Sequence, residues 1–432
     1  MSLTRALARL IVQSTPDKTA RDCAREGVKD VLAVTLPVIS GALDDPGLAA
    51  LRRIWPGADP QTQALLGGYC AHALDFDDFH ADFRGHPGAV ILPALFALAR
   101  TLPGLTTERF LDALVIGVET AGRLGLAIGQ GHYLRGFHNT GTLGTLAASA
   151  AAARLCRVDE ATAITALSLA TSQAAGLRVQ FGSTAKPLHA GLAARGAVTA
   201  LELAKAGIDA GSGDALAAFI AAYGDKDSRP ARLTEGWGSP WRIVTPGLEY
   251  KNWPTCSGTH AAAVAALQLR EHGALPADID HITVAFPPGG DVATAIRQPK
   301  TGIEARFSLE YVIAHCLLHG EPRIADFSNE PLKQETAALA ARVIRTPDLS
   351  APPDALNPSA RFHEVTIYLH GGEILRQRVT RQQTLARGVD IEEKLRSSLS
   401  SLPADAQQRW MALSELANDA ALYELAEGLG LR

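Results

Sequence analysis

The stretch AGLAARGAVTALELAKA, at residues 190–206, decides the fold class of this chain. Alanine has the highest helix propensity of all residues, and the stretch contains no proline. Gly207 follows it directly, and glycine is the residue most often found just past the end of a helix. We therefore predict a long buried helix here. Because small side chains let two helices approach closely, we also predict that it packs in a compact multi-helix bundle.

Other alanine- and leucine-rich stretches with helical spacing precede this one. They lie at residues 20–36, 62–75, 89–100, 107–128, 146–155 and 160–175. Proline and glycine pairs, such as Pro56-Gly57 and Pro103-Gly104, mark the breaks between them. The first half of the chain is therefore predicted to be all helical.

The pattern changes after Pro246. In residues 281–286 (HITVAF), polar and apolar residues alternate and residues that favour β-strands are frequent, which predicts a strand. Residues 365–369 and 374–379 predict a hairpin around Gly371-Gly372. Two helical stretches, 303–318 and 332–344, lie between these strands, and the tail at 391–429 is helical again. We predict a mainly α fold with a smaller α+β domain: a large all-helical domain at 1–248, completed by 386–432, and an α+β domain at 249–385.

Composition excludes several classes of protein. The chain has 432 residues, enough for two domains, with 47% hydrophobic and 20% charged residues, as in globular proteins. A net charge of -4 gives no electrostatic reason to expect nucleic acid or an anionic membrane as a partner. The five scattered cysteines form no C-x-x-C pair and indicate reduced thiols, and the amphipathic N-terminus reads as a first helix. No run of about 18 apolar residues predicts a membrane span, so we expect a cytoplasmic protein.

The densest polar segment is HALDFDDFHADFRGHP, at residues 72–87. Asp75 and Phe79 are four residues apart, which would place them on one helical face. Carboxylates crowded with histidines repel one another unless they are paired, so perturbed pKa values are expected here. The alternative is a capped helix end with a solvated acidic face.

Four further segments could carry chemistry, and each has a plainer alternative. Residues 131–144 feed a helix whose N-terminus could bind a carboxylate, or Thr140 and Thr142 could simply cap it. Lys186, in 180–191, is predicted to be buried, although a surface lysine at a helix start is the alternative. Residues 250–260 lie at the predicted domain boundary, where a ligand cleft or a plain linker is expected. In 301–311, Tyr311 could donate a proton or only pack.

Together these five segments, in this order, resemble the MmgE/PrpD family. The matching strings are HALDFDD and HPGAVILPAL, RGFHNTGTLG, AKPLHAGLAARG, KNWPTCSGTHAA and TGIEARFSLEY. The resemblance implies an all-helical domain and an α+β lid domain with a cleft between them. It also implies a homodimer, no metal ion and no organic cofactor. The pocket residues that it implies are Asp75, Phe79, His86, His138, Lys186, Lys251, His260 and Tyr311, and Tyr133 and Arg135 complete the expected substrate-binding set.

The resemblance further implies an enzyme acting on a small polycarboxylate at the carbon next to a carboxylate. His138 and His86 are expected to transfer the proton, because imidazole titrates near neutral pH. Lys186 and Lys251 are expected to clamp carboxylates, Asp75 to orient a histidine or lysine, and Tyr311 to act as an acid or hydrogen-bond donor. These groups would stabilise the charge that develops in the transition state.

The type of reaction stays open at this point. A lyase similar to 2-methylcitrate dehydratase or cis-aconitate decarboxylase is expected first, and an epimerase similar to iminodisuccinate epimerase is the alternative. Phe79 stands where the lyase-like members carry threonine, which narrows the pocket and favours a smaller or less hydroxylated acid. Two other classes compete. One is a non-catalytic binding protein on the same fold. The other is a Mg²⁺-dependent isoprenoid-type enzyme using Asp77, Asp78 and Asp82, although a second such motif is missing near Asn418-Asp419.

Overall fold

A computed structural model describes residues 1–43, 45–273 and 276–430 of the chain. The first part, up to residue 223, is helical. Its helices are α1 (Leu3–Gln13), α2 (Lys18–Ile39), α3 (Pro46–Ile54), α4 (Pro60–His72), α5 (Gly88–Ala99), α6 (Thr107–Ile128), α7 (Gln130–Leu134), α8 (Asn139–Leu155), α9 (Glu160–Thr171), α10 (Ala185–Lys205) and α11 (Ala215–Tyr223).

Helices and strands mix in the second part, and the chain ends in helices. The elements are α12 (His260–Glu271), β1 (Ile279–Ala285), α13 (Gly302–Ala305), α14 (Leu309–His319), α15 (Gln334–Ala340), β2 (Val343–Arg345), β3 (Phe362–Leu369), β4 (Ile374–Thr380), α16 (Arg381–Ala386), α17 (Ile391–Ser398), α18 (Ala404–Ser414) and α19 (Asp419–Gly428).

Helix α10 confirms the predicted buried helix, and Gly207 just past its end has the left-handed φ of 86° that favours glycine there. It crosses α4 at two glycines. A Cβ on Gly68 would lie 2.8 Å from Cα of Gly191, and a Cβ on Gly191 would overlap the carbonyl oxygen of Leu65. The small residues therefore do what the composition predicts: they bring two helix backbones into contact.

Three predicted helices differ from the structure. The helix expected at 62–75 ends at His72, so Asp75 and Phe79 do not share a helical face, and that prediction is wrong. The helix expected at 303–318 is divided because the Ser308 hydroxyl accepts a hydrogen bond from the Tyr311 backbone N–H and caps a new helix. The end of 332–344 is strand β2, since Val343 and Arg345 pair with β1.

The sheet has the order β2-β1-β3-β4, with β1 and β2 parallel and the other pairs antiparallel. β3 and β4 form the predicted hairpin. Ile282 pairs with Ile367 and Val284 with Val365, and all four are fully buried. Their common face packs against α12 and α14 and forms the apolar core of this part of the chain.

The described apolar side chains form separate clusters. The first cluster contains apolar side chains of the N-terminal helices together with Leu395, Leu399, Leu422 and Leu425. The C-terminal helices therefore pack on the helical bundle. Another belongs to the sheet with α12 and α14. The mainly α fold with a smaller α+β part is confirmed, whereas the domain boundaries at 248 and 386 stay a prediction. Among the described helices, none combines the length and the apolar character that a membrane crossing requires.

Candidate active site

The segment between α4 and α5 carries most of the site. Asp75 and Arg84 have φ values of 50° and 51°, in the left-handed region that non-glycine residues rarely adopt. A bridge between Phe79 and Glu249 ties the segment to the chain that follows the helical bundle, and a second bridge joins His80 to Gly85. The segment is therefore a series of tight turns held by backbone hydrogen bonds, and backbone strain of this kind is concentrated at functional sites.

Asp75 is the centre of a buried ionic cluster. Its Oδ1 lies 2.7 Å from Nζ of Lys186 and 3.4 Å from Nζ of Lys251. Lys251 also donates to the Asp75 backbone carbonyl at 2.6 Å, and none of the three residues is more than 3% exposed. Burial opposes ionisation of Asp75, but the two ammonium groups outweigh it and hold its pKa well below the usual range. Asp75 is therefore a carboxylate that fixes both lysines.

A second chain of contacts runs from Lys186 to Asp77 and His86. Lys186 donates to Nε2 of His72 at 2.7 Å, so the proton of neutral His72 sits on Nδ1 and is donated to Oδ2 of Asp77, also at 2.7 Å. His86 donates from Nδ1 to the Asp78 carbonyl at 2.7 Å, which leaves its Nε2 as a free lone pair 4.0 Å from Asp75. Burial lowers the pKa of His72 and lowers that of His86 well below its usual range.

His138 precedes α8, and its two ring nitrogens have different surroundings. Nδ1 lies 3.1 Å from Nδ1 of His189, whereas Nε2 is buried and has no hydrogen-bond partner among the described residues. Burial, reinforced by Lys186, holds the His138 pKa well below its usual range, and burial lowers the pKa of His189 to about 4. His138 is therefore a neutral imidazole with one nitrogen available to a bound molecule.

These groups share a cavity of about 820 Å³ that is partly open to solvent. Of the residues expected at the site, those that line it are Asp75, Phe79, His86, Tyr133, His138 and Lys186. Phe181 and Phe307 also line it, and both rings lie within 5.6 Å of the Lys186 ammonium. A cleft of about 2050 Å³ adjoins this cavity at Phe79 and contains Lys251 and His260.

Two predicted site residues, Tyr311 and Arg135, line neither the cavity nor the adjoining cleft. Tyr311 is 2% exposed and lies in the apolar core of the α+β part, with its ring edge against Phe327. It packs there because α14 presents it to the core, which is the plainer alternative considered for it. Arg135 donates to the backbone carbonyls of Tyr223 and Gly224 and points away from the site. Neither residue contacts the Asp75 cluster.

Some residues at the site were missed as functional candidates. His72 and Asp77 belong to the segment 72–87, but their place between Lys186 and His86 depends on the turns after α4. His189 follows Lys186 by three positions in the quoted string AKPLHAG, so it was visible but not selected. Arg84 and Arg361 also line the cavity, and no sequence signal connects two residues so far apart in the chain.

Metal binding at this cluster would compete with Lys186. Ligand atoms of His72, Asp75, Asp77 and His86 lie within 4.8 Å of one another, which suits a metal ion by distance. The Lys186 ammonium, however, is bonded to two of these four residues and supplies the positive charge in their midst. The aspartate-rich motif does not converge either, because Asp78 accepts from the Gly88 N–H and Asp82 pairs with Arg242.

Comparison with known proteins agrees with this arrangement. The MmgE/PrpD N-terminal domain matches residues 3–226, and the MmgE/PrpD C-terminal domain matches residues 253–419. Cis-aconitate decarboxylase of Homo sapiens is 30% identical over 367 residues, covering 79% of this chain and 73% of that protein. The Mus musculus enzyme of the same name is 30% identical over 342 residues, with 74% and 67% covered, and one from Aspergillus terreus is 25% identical over 310 residues, with 66% and 63% covered. This chain belongs to the MmgE/PrpD family.

Proposed function

We propose that this chain is a lyase that removes CO2 from a small unsaturated polycarboxylate of the cis-aconitate type. The observation that carries the proposal is one cavity lined both by His138, whose Nε2 has no hydrogen-bond partner among the described residues, and by the Lys186–Asp75 pair. The names of the relatives supply the candidate substrate.

Loss of CO2 from such an acid requires a proton. The bond between the carboxylate carbon and its neighbour breaks, and that electron pair forms a new C=C bond. The former double bond moves its electrons to the carbon at its far end, which must take up one proton. The net reaction consumes one proton and releases one CO2, so the enzyme needs a positioned acid that can be recharged.

His138 is placed for this transfer. It is neutral in the empty site, and a bound polyanion next to Nε2 raises its pKa and lets it take up a proton. His189, at 3.1 Å from its other nitrogen, lines a surface groove and so connects the ring to solvent. His86, with a free Nε2, is the second group able to exchange a proton at the same cavity.

Lys186 and Asp75 have a different role. The pair is fixed before the substrate binds, so its dipole needs no reorganisation when charge moves off the departing carboxylate. Lys251 holds the backbone carbonyl and the carboxylate of Asp75 from the other side. The lysines therefore position Asp75 and present ammonium donors of fixed position. The homodimer expected from the resemblance and the cytoplasmic location expected from the sequence remain part of this proposal.

Incubation of the purified protein with cis-aconitate in D2O, followed by NMR, tests the reaction. The proposal predicts a new terminal alkene signal and one deuterium on the carbon that accepts the proton. Unchanged cis-aconitate, at protein concentrations equal to that of the acid, contradicts it. A binding protein without chemistry gives shifts on mixing and no deuterium incorporation.

One observation favours a second function, the epimerisation of a smaller dicarboxylate. Phe79 lines the cavity, and its ring centre lies 5.8 Å from that of His86, so an apolar group stands where a hydroxyl would help to bind a larger, hydroxylated acid. An epimerase exchanges the α-hydrogen of a chiral dicarboxylate for deuterium and forms no alkene. Phe79→Thr would then shift the preference toward tricarboxylates. Alkene formation by the native protein decides for the lyase.

A further inference from the structure

The charges at the Asp75 end of the cavity balance one another. Two lysines, Lys186 and Lys251, face two ionised carboxylates, Asp75 and Asp77. The adjacent histidines are neutral because burial lowers their pKa values. This end therefore has little net positive charge left for a polyanionic molecule, although it contains two lysines.

Another part of the cavity lining carries a different set of charges. Arg84 and Arg361 line the cavity and both lie beside Asp354. Arg84 and Arg178 both lie over the Tyr133 ring. Arg361 binds Asp354 through two hydrogen bonds, at 2.6 and 2.5 Å, and so uses both carboxylate oxygens. Arg178 donates to backbone carbonyls only, at Tyr133, Leu134 and Val292. Two guanidinium groups, those of Arg84 and Arg361, thus share the Asp354 carboxylate, and among the described residues no carboxylate is paired with Arg178.

Within the described part of the chain, Arg84 makes only one long ion pair, to Asp354. Its side chain makes no hydrogen bond to any described residue, and its Nη1 is buried and unsatisfied. Its nearest carboxylate oxygen, on Asp354, is 3.9 Å away and already bound to Arg361. Its guanidinium rests 4.8 Å above the centre of the Tyr133 ring. A charged group held this way carries a desolvation cost that an anion would remove.

The backbone holds Arg84 in place. Arg84 donates its N–H to the His80 carbonyl at 2.8 Å, and His80 donates to the Gly85 carbonyl at 3.0 Å. A Cβ on Gly85 would lie 2.8 Å from the Phe83 ring, so the turn is closely packed. A closely packed turn therefore fixes the backbone position from which the Arg84 side chain extends into the cavity lining.

We propose that Arg84, assisted by Arg361, binds a second carboxylate of the substrate, remote from the carbon that reacts, and so selects polycarboxylates over monocarboxylates. Arg84 lines both the cavity and the adjoining cleft, at the place where they meet. A molecule that places one carboxylate near Lys186 and His138 can form an ion pair with Arg84 only if it carries another anionic group. The inference rests on the proposed function for the nature of the substrate, but binding can be measured without turnover.

Calorimetric titration with unreactive acids tests it. Tricarballylate has three carboxylates and no double bond, and butyrate has one carboxylate. Arg84→Met should weaken tricarballylate binding by about tenfold to a hundredfold, as expected for a hydrogen bond between charged groups, and leave butyrate binding unchanged. Arg84→Lys should recover part of the affinity, because it restores the charge but not the planar pair of donors. Arg109→Met is the matched control, since Arg109 has no carboxylate partner among the described residues and lies outside both cavities.

Several outcomes overturn the inference. The first is that a folded Arg84→Met protein binds tricarballylate as tightly as the native protein does. The second is that this variant loses affinity for butyrate as much as for tricarballylate. The third is that the native protein does not bind tricarballylate. Tighter Arg84-dependent binding of inorganic phosphate than of tricarballylate also overturns it, since the anion would then be a phosphate. Arg84-dependent tricarballylate binding together with inert cis-aconitate supports this inference while contradicting the proposed lyase, so the two failures can be told apart.

Discussion

Replacing Lys186 by methionine removes one ammonium group and keeps an unbranched side chain of similar length. In the structure this ammonium lies 2.7 Å from both Oδ1 of Asp75 and Nε2 of His72, and Lys186 is 3% exposed. The substitution leaves Asp75 with Lys251, at 3.4 Å, and leaves Nε2 of His72 without a donor. Both stability and turnover should therefore change, for separable reasons.

The cost in stability follows from the distances. At an effective dielectric constant of about 20, unit charges at 2.7 Å attract by about 6 kcal/mol and at 3.4 Å by about 5 kcal/mol. Desolvation offsets most of this attraction, and removing one partner of a buried pair typically costs about 3–5 kcal/mol. Because Lys251 still compensates Asp75, we expect the free energy of unfolding to fall by about 3 kcal/mol. Turnover should fall by about 10²–10³, the usual loss for a fixed electrostatic donor.

Urea unfolding measures the stability, and NMR of cis-aconitate consumption measures the turnover. Lys29→Met is the matched control, because Lys29 is also buried and ion-paired, to Glu415 at 2.9 Å, but lies on α2 outside the cavity. Its carboxylate partner is half exposed, so this variant should lose at most about 1 kcal/mol and keep its activity. The double variant Lys186→Met/Asp77→Asn should regain stability without regaining activity, since it leaves one buried carboxylate, Asp75, opposite one ammonium group, that of Lys251.

A folded Lys186→Met protein that keeps turnover within about tenfold of the native rate refutes the electrostatic role. If the single variant unfolds, the double variant decides. Recovery of both stability and turnover in it would mean that Lys186 only balances the buried carboxylates of this cluster and has no part in the reaction.

Three further predictions concern the proton path, the helix packing and the pH dependence. His189→Gln should lower turnover by about tenfold to a hundredfold, because the proposed proton path from solvent through His189 to His138 loses its titrating ring. Added imidazole should restore turnover, and unchanged turnover in the variant contradicts this path. Gly191→Ala should lower the free energy of unfolding by about 1–3 kcal/mol in urea titration, because the new methyl group meets the Leu65 carbonyl of α4, and no loss contradicts that contact. Burial lowers the pKa of His132 from 6.5 to about 4, so folding favours the neutral imidazole. The contribution of His132 to stability is therefore present above the pKa of the unfolded state and is lost as the pH falls toward the pKa of the folded state. The free energy of unfolding should drop by about 2 kcal/mol between about pH 7.5 and 5 through this group, and His132→Gln should reduce that slope; an identical slope contradicts it.

Local pattern predicts much of the fold because helix propensity and strand alternation act over a few residues. Helix α10, the β3–β4 hairpin and the return of a helical tail all follow from composition and period. The errors occur where a side chain or a partner strand intervenes. Ser308 caps a new helix inside a continuous apolar pattern, and β2 forms because β1 offers it a parallel edge.

The candidate site divides in the same way. The residue types that line it, such as Asp75, His138 and Lys186, were identified from the sequence through their crowding and the family resemblance. Their roles depend on neighbours that lie far away in the chain. Lys186 donates to Nε2 of His72, so the His72 ring donates its own proton from Nδ1 to Asp77. Only the structure shows these contacts.

Local pattern and composition predict the class of the fold, the family and the segments that carry the chemistry. They could not show that Tyr311 lies in an apolar core, that carboxylates already balance the two lysines, or that the carboxylate nearest to Arg84 is 3.9 Å away and bound to Arg361. The physical reason is that burial, protonation and charge balance depend on which groups meet in space. The packing of the whole chain decides which groups come into contact.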